Sequence, residues 1–189
     1  MDEKRLYRIN PQYVDLSGVE LGERILDIGG GGEGIIGQLK PDSVISIDPS
    51  AEELKEAPCN AIKIVMSAEE LKFIDDTFDT VTSFFTLMYI DPEKHAKVAS
   101  EAYRVLKTGG SFILWDAVIP CRGSQEKDIY VIPLQVKLKE GYTVDTGYGV
   151  LWTNRVQDMD YYLEICRKAG FKVAESRADQ ETFFIRLVK

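Results

Sequence analysis

Arg24-Ile-Leu-Asp-Ile-Gly-Gly-Gly-Gly-Glu-Gly-Ile-Ile-Gly37 is the stretch that decides the fold. Ile25, Leu26 and Ile28 supply an apolar strand, and Gly29 to Gly32 remove every Cβ where the chain must turn and admit a ligand to the backbone. A helix follows. Four consecutive glycines lose much chain entropy on ordering, so the bare backbone points to a bound ligand and away from a plain strand-to-helix turn.

The spacing Gly29-x-Gly31-x-x-Gly34 matches the dinucleotide fingerprint, and Asp48 closes a second apolar run at 44–48. The charges oppose that reading. Asp27 stands two residues before the first glycine and Glu33 opens the helix, where a pyrophosphate wants no negative charge. A ligand with an ammonium, a sulfonium and no phosphate is attracted by such a site instead.

Working outward, strand-like runs at 24–28, 44–48, 61–66, 79–85 and 111–118 alternate with helical stretches at 34–40, 50–57 and 92–107. That order predicts a doubly wound α/β fold with a parallel sheet wrapped on both faces. Asp91 reads as the N-cap of the third helix, Pro92 sits in its first turn, and Gly109-Gly110 is its stop. A last helix spans 158–169, with Met159, Tyr162, Leu163 and Cys166 on one stripe and Gly170 beyond it. The runs 171–177 and 182–188 are joined by a turn too short for a parallel crossover, so they pair as a hairpin and the last strand is antiparallel. Ser-Ala-Glu-Glu-Leu occurs at 50–54 and 67–71, and each copy reads as a capped helix start.

Segment 120–153 alternates Leu134, Val136 and Leu138 with polar residues, then continues through Tyr142, Val144, Tyr148, Val150 and Trp152 beyond Gly141. It is expected to form a β-hairpin inserted between the fifth strand and the final helix. Either it is a lid or pocket wall, or it covers core or makes a subunit contact.

The ordered series Asp27-Ile-Gly-Gly-Gly-Gly-Glu-Gly34, Ile47-Asp48-Pro49, Met66-Ser-Ala-Glu69, Phe78-Asp-Thr-Val-Thr-Ser-Phe-Phe85 and Tyr103-Arg-Val-Leu-Lys-Thr-Gly-Gly110 resembles the motifs of class I S-adenosylmethionine-dependent methyltransferases. The resemblance covers residues 24–118, and 157–189 more loosely. It implies a mostly parallel, seven-stranded Rossmann-like sheet with an antiparallel last strand, and S-adenosyl-L-methionine as cofactor. It also implies that Gly29, Gly30 and Gly31 pass close to the methionine portion while Asp27 fixes its ammonium. Asp48 would take the ribose hydroxyls, Pro49 an adenine face, Ser67 and Ala68 the adenine edge, and the backbone of Phe84 would lie beside the reactive centre. Two bland readings stand beside these roles: Asp48 as a turn residue and Ser67 as a helix cap. The last glycine, Gly34, falls one position later than in the family's commonest turn.

For a general base the sequence offers Asp116, at the end of the fifth strand, and Tyr89, after the fourth. His95, beside Lys94 and Lys97, reads as a solvated surface residue. Thr86-Leu-Met-Tyr89 is not the Asn/Asp-Pro-Pro-Tyr signature, which disfavours amide or adenine-nitrogen methylation. Tyr7 and Tyr13 either fold over the cofactor, with Tyr13 as its shield, or pack beneath the first helix.

At 189 residues and 44% hydrophobic content the chain has room for one well-buried core. A single domain is expected over 1–189, with an N-terminal arm at 1–20 and the insert at 119–156. A net charge of −8 disfavours nucleic acid as partner. Cys59, Cys121 and Cys166 lack a CxxC and read as reduced thiols, with no metal site. The charged N-terminus and the absence of a long apolar run predict a cytoplasmic protein with no membrane contact. The expected activity is methyl transfer to a small-molecule acceptor through oxygen, nitrogen or carbon, with the oligomeric state left open. The alternatives are a non-catalytic binder of S-adenosylmethionine or S-adenosylhomocysteine, and an NAD-dependent oxidoreductase.

Overall fold

The computed structural model describes residues 3–189. In chain order its elements are β1 (Leu6–Arg8), β2 (Gln12–Asp15), β3 (Ile25–Ile28), α1 (Ile35–Leu39), β4 (Val44–Asp48), α2 (Ala51–Glu56), β5 (Ile62–Val65) and β6 (Phe78–Phe84). They continue with α3 (His95–Val105), β7 (Leu106–Ala117), β8 (Ile129–Lys139), β9 (Tyr142–Leu151), α4 (Met159–Lys168), β10 (Lys172–Asp179) and β11 (Thr182–Val188). Short 3-10 turns occupy Glu3–Arg5, Leu87–Tyr89 and Pro92–Lys94.

Seven strands form the main sheet in the order β10-β11-β7-β6-β3-β4-β5. Pairings β5·β4, β4·β3, β3·β6 and β6·β7 are parallel, whereas β11 runs antiparallel to both β7 and β10. The expected closing hairpin is therefore present. Its turn is only Gln180-Glu181, with Gln180 left-handed at φ 51°. The strand order reverses between β3 and β6, and at such a switch point the crevice outside the carboxyl ends of the strands is the natural ligand site.

Alternation along the strands separates the two faces. Phe112 and Leu114 of β7 point into the core shared with Val98, Ala102 and Val105 of α3 and Tyr162, Leu163 and Cys166 of α4. Ile113 and Trp115 point the other way, toward Ile35 and Ile36 of α1 and toward β8. A sheet buried on both sides needs apolar side chains at successive positions, as β3 and β7 have.

The second face departs from a purely helical cover. Tyr130, Ile132, Leu134, Val136 and Leu138 of β8 complete it. The expected β8–β9 hairpin is present and antiparallel, and it belongs to a four-stranded sheet with two N-terminal strands that the sequence reading left as an arm. β9 takes one edge of β8, so β1 and β2 lie in tandem along the other, paired in parallel with 129–131 and 134–137. Pro133, which has no N–H to give, falls opposite the break between them.

Three boundaries differ from expectation. Asp91 makes no capping hydrogen bond, Pro92–Lys94 is a 3-10 turn, and α3 proper starts at His95. That helix ends at Val105, not at Gly109-Gly110, because Leu106 already pairs with Phe78 in the sheet; Gly109, at φ 80°, lies in a bulge of β7. The second Ser-Ala-Glu-Glu-Leu is a turn and not a helix. Tertiary partners claim its backbone: the Leu71 N–H donates to Glu101 at 2.8 Å, and Arg104 donates to the carbonyls of Leu71 and Phe73. The first copy does begin a helix, with the Ser50 hydroxyl accepting the Glu53 N–H at 3.2 Å.

Candidate active site

A cavity of about 1000 Å³ opens at the carboxyl edge of β3, β4 and β6, directly over the switch point. That volume is at the upper end of the roughly 300–1,000 Å³ range of small-molecule pockets. One end is bounded by Gly29, Gly31, Asp48, Pro49, Ser67 and Ala68, and the other by Phe84, Phe85, Thr86, Tyr89, Gly147 and Tyr148.

The glycine turn is shaped by its neighbours. Gly29 adopts φ 74°, and a Cβ there would lie 2.2 Å from the Thr86 side chain. A Cβ on Gly31 would lie 2.6 Å from that of Glu53. Gly34, displaced by one position from the common pattern, is left-handed at φ 55°, and a Cβ there would meet Ala57 at 2.9 Å, so close packing against the end of α2 accounts for it. The N–H groups of the turn are spent internally. Those of Gly29 and Gly30 donate to the Ile47 carbonyl, that of Gly32 to Glu53 and that of Gly34 to Gly31, while Gly31 donates to the Asp48 carboxylate.

Asp48 lines the cavity and is also a turn residue, accepting the Ser50 N–H at 2.8 Å. Partial burial raises its pKa, against the two backbone donors that lower it. Asp27 does not line the cavity. It is 2% exposed beneath the glycine turn, where it accepts the Thr82 hydroxyl at 2.8 Å; burial pushes its pKa up to about 7, with the Asp48 charge adding to the rise. Gly30 covers it, since a Cβ at 30 would lie 2.7 Å from both Asp27 Oδ2 and the Ser46 hydroxyl. Ser67 is not a helix cap; its hydroxyl accepts the Glu69 N–H at 3.3 Å within a turn on the cavity wall.

The base candidates separate. Asp116 is sealed at 1% exposure and accepts N–H groups from Met88 and Ala117, so it braces the turn after β6 instead of facing the cavity; burial pushes its pKa up to about 7. Tyr89 does line the cavity. Desolvation pushes its phenol up to about 12, opposed by an N–H from Gly149. His95 is 2% exposed and not solvated as expected: its ring bonds the Tyr161 hydroxyl and the Leu87 carbonyl, both at 2.9 Å, and burial lowers its pKa. Tyr13 is 54% exposed on β2, away from the cavity, so it is no shield, and Tyr7 stacks against Tyr130.

Sequence reasoning missed Glu33 as part of this wall, placed Phe85 beside the reactive centre, and left Tyr148 in a segment that could be wall or core cover. Glu33 accepts hydrogen bonds from the hydroxyls of Thr146 and Tyr148 on β9, and Tyr142 at the hairpin's near end donates to Gln38 at 2.8 Å. Phe85, the residue after β6, is in the left-handed region at φ 49°, a strained conformation for a bulky residue, with Tyr148 stacked on it at 5.4 Å and 15°. The alternation Thr146, Tyr148, Val150 was the available signal. The hairpin is thus both pocket wall and core cover.

A methyltransferase domain family matches residues 26–114, the span from β3 through most of β7. That match is to the middle of the chain and spans the glycine turn and the strands that carry the cavity. Over 121 residues it is 30% identical to a ubiquinone/menaquinone biosynthesis C-methyltransferase of Psychromonas ingrahamii, covering 57% of this chain and 47% of that protein. It is 36% identical over 117 residues to the chloroplastic 2-methyl-6-phytyl-1,4-hydroquinone methyltransferase of Arabidopsis thaliana, covering 57% and 33%. The chain spans about half the length, or less, of these curated relatives. In fold it resembles an S-adenosylmethionine-dependent methyltransferase from Mesorhizobium loti, with a TM-score of 0.64, 14% identity and coverage of 90% and 93%. No described helix is long and apolar enough to cross a membrane.

Proposed function

We propose that this chain is a class I S-adenosylmethionine-dependent methyltransferase and transfers a methyl group from S-adenosylmethionine to a small-molecule acceptor. The observation that carries this reading is the glycine turn, whose N–H groups are already spent and whose rim is acidic. A pyrophosphate needs free donors and positive potential at such a place, and finds neither. A phosphate-free cation fits both features, which disfavours the nicotinamide alternative.

The bound cofactor supplies a methyl on a positively charged sulfur, so no electrophile has to be generated by the protein. Gly29 and Gly31 leave the backbone bare for close approach of the methionine portion. Asp48 keeps lone pairs beyond its two backbone donors and can accept a ribose diol, since a carboxylate has about four acceptor sites. Pro49 offers a flat face, and the Ser67-Ala68 turn offers polar edges to adenine. Asp27 acts on the ammonium from beneath the turn, through its field and not by contact. Phe84 and Phe85 close the reacting centre against water. Tyr89 keeps its proton at neutral pH and is a hydrogen-bond donor, not a base. The residues' contribution is then positioning, which is worth about 7–11 kcal/mol when reacting atoms are held at near-attack distance. The small-molecule acceptor is supported by the relatives, whose names concern quinone biosynthesis and a hydroquinone.

Thermal shift with S-adenosylhomocysteine beside NADH tests the assignment. At a hundred times its dissociation constant the first should stabilise the protein by about 2.7 kcal/mol. A shift with NADH alone overturns the reading, and transfer of a labelled methyl group into a metabolite extract separates an enzyme from a mere binder.

A further inference from the structure

Two properties of the cavity bear on the acceptor, one at its aromatic end and one along the whole wall. The first is aromatic lining held in place from several sides. Tyr148 is seated on Phe85, which the end of β6 fixes in a left-handed conformation, and its hydroxyl is 3.4 Å from Glu33. Tyr89 lines the same end, with its phenolic oxygen receiving an N–H from Gly149 on β9. Between them Gly147 contributes only backbone, leaving space at that point of the wall.

The second property is charge. Glu33, Asp48, Glu53, Glu56, Glu69 and Asp91 line the cavity against a single ammonium, Lys94, which is already paired with Glu69 at 2.9 Å. Arg155 answers Asp91 from outside at 3.6 Å. Glu33, Asp48, Glu53 and Glu56 have no ion pair among the described residues. An acceptor bearing a carboxylate or phosphate would enter against this field with no cation to meet it. Ring faces, by contrast, favour offset stacking with another ring and attract cations.

We infer that the acceptor is a planar aromatic compound without negative charge, and that Tyr148 and Tyr89 are the residues that select it. This rests on the methyltransferase reading above. On transfer the carbon–sulfur bond breaks, the acceptor–carbon bond forms with the acceptor's electron pair, and the displaced acceptor proton leaves to solvent. One positive charge thereby disappears from the donor, so the acidic wall holds the charged donor more strongly than the neutral product.

The test uses one phenol ring with three tails: tyramine (ammonium), 4-methylphenol (neutral) and 4-hydroxyphenylacetate (carboxylate). Each is titrated by calorimetry into the full chain saturated with S-adenosylhomocysteine, whose own binding is measured first. Tyramine and 4-methylphenol should bind at least tenfold more tightly than the carboxylate, and the gap should narrow in 0.5 M salt as screening shortens to a few ångströms. Tyr148→Ala and, independently, the half-exposed Tyr89→Ala should weaken 4-methylphenol at least fivefold, with affinity for S-adenosylhomocysteine moving less than threefold. Tyr148→Phe, which keeps the stack on Phe85, should retain most of the ring affinity. The inference is overturned if the carboxylate binds as well as the other two, if neither alanine variant affects the phenol, or if none of the three binds to loaded protein. Failure of S-adenosylhomocysteine itself to bind would instead overturn the underlying reading.

Discussion

Gly29→Ala isolates the physical reason for a glycine at the centre of the site. An L residue at φ 74° costs about 1–2 kcal/mol from its own sterics. The added methyl would also sit 2.2 Å from Thr86 Oγ1 and Cγ2 and 2.7 Å from Thr86 Cβ, and overpacking of that kind costs about 1–3 kcal/mol. Together these predict a loss of about 2–5 kcal/mol, which for a chain of this size lowers Tm by about 4–20 °C. Thr86→Ala removes two of the three clashing atoms and only one weak hydrogen bond, from the Thr86 hydroxyl to the Phe84 carbonyl at 3.1 Å. The pair should therefore be non-additive: Gly29→Ala/Thr86→Ala regains at least about 1 kcal/mol relative to the sum of the single changes, within the range measured for residues in contact. The backbone term stays. Urea unfolding followed by circular dichroism reads all four corners of the cycle, and calorimetry with S-adenosylhomocysteine reads the ligand side. A single variant within 0.5 kcal/mol of the parent, or a strictly additive pair, would refute the steric account of the turn.

Asp27→Asn should flatten the dependence of stability on pH. The folded carboxyl titrates at about 7 against an ordinary 3.8, so the stability it lends is full below pH 3.8 and lost as pH rises through about 7. The fall between pH 5 and pH 8 in urea midpoint should shrink in the variant, and an unchanged slope would count against the sealed carboxyl. Arg104→Ala strips donors from Glu101, Asp75 and two carbonyls; breaking a buried pair costs about 3–5 kcal/mol, and the 30% exposure of Arg104 reduces the expected loss to about 2–3 kcal/mol by chemical denaturation. A loss below 0.5 kcal/mol would show that the 67–73 turn holds without it. Tyr13→Ala should leave affinity for S-adenosylhomocysteine within a factor of two by calorimetry, and a tenfold loss would mean that the arm reaches the cavity after all.

What the sequence revealed follows the range of the interactions involved. The glycine turn, the parallel strands and the closing hairpin are set by local chemistry: bare backbone, apolar runs and a turn too short to cross over. β1 and β2 escaped because their pattern is polar and short, and their partner strand lies more than a hundred residues away. The second Ser-Ala-Glu-Glu-Leu has the same local signal as the first and a different fate, because Glu101 and Arg104 of a distant helix bind its backbone. His95 looked solvated beside two lysines, yet its ring turns inward to Leu87 and Tyr161. In the site, Gly29, Gly31, Asp48, Pro49, Ser67 and Ala68 reach the cavity wall, whereas Gly30, Asp27 and Asp116 do not line it. Spacing in a motif fixes where a residue stands along a strand, and the packing of the opposite layer decides whether its carboxylate meets ligand or core.

The tandem seating of residues 6–8 and 12–15 along one edge of β8 has a consequence for synthesis. Those first strands have nothing to zip onto until residues 129–137 exist, while β3, β4, β5, β6 and β7 are all made before then. On a ribosome the floor of the cavity can therefore close early, and the opposing wall arrives later, recruiting β1 and β2 to it. The glycine-lined side of the cavity is laid down before the side that carries Gly147 and Tyr148.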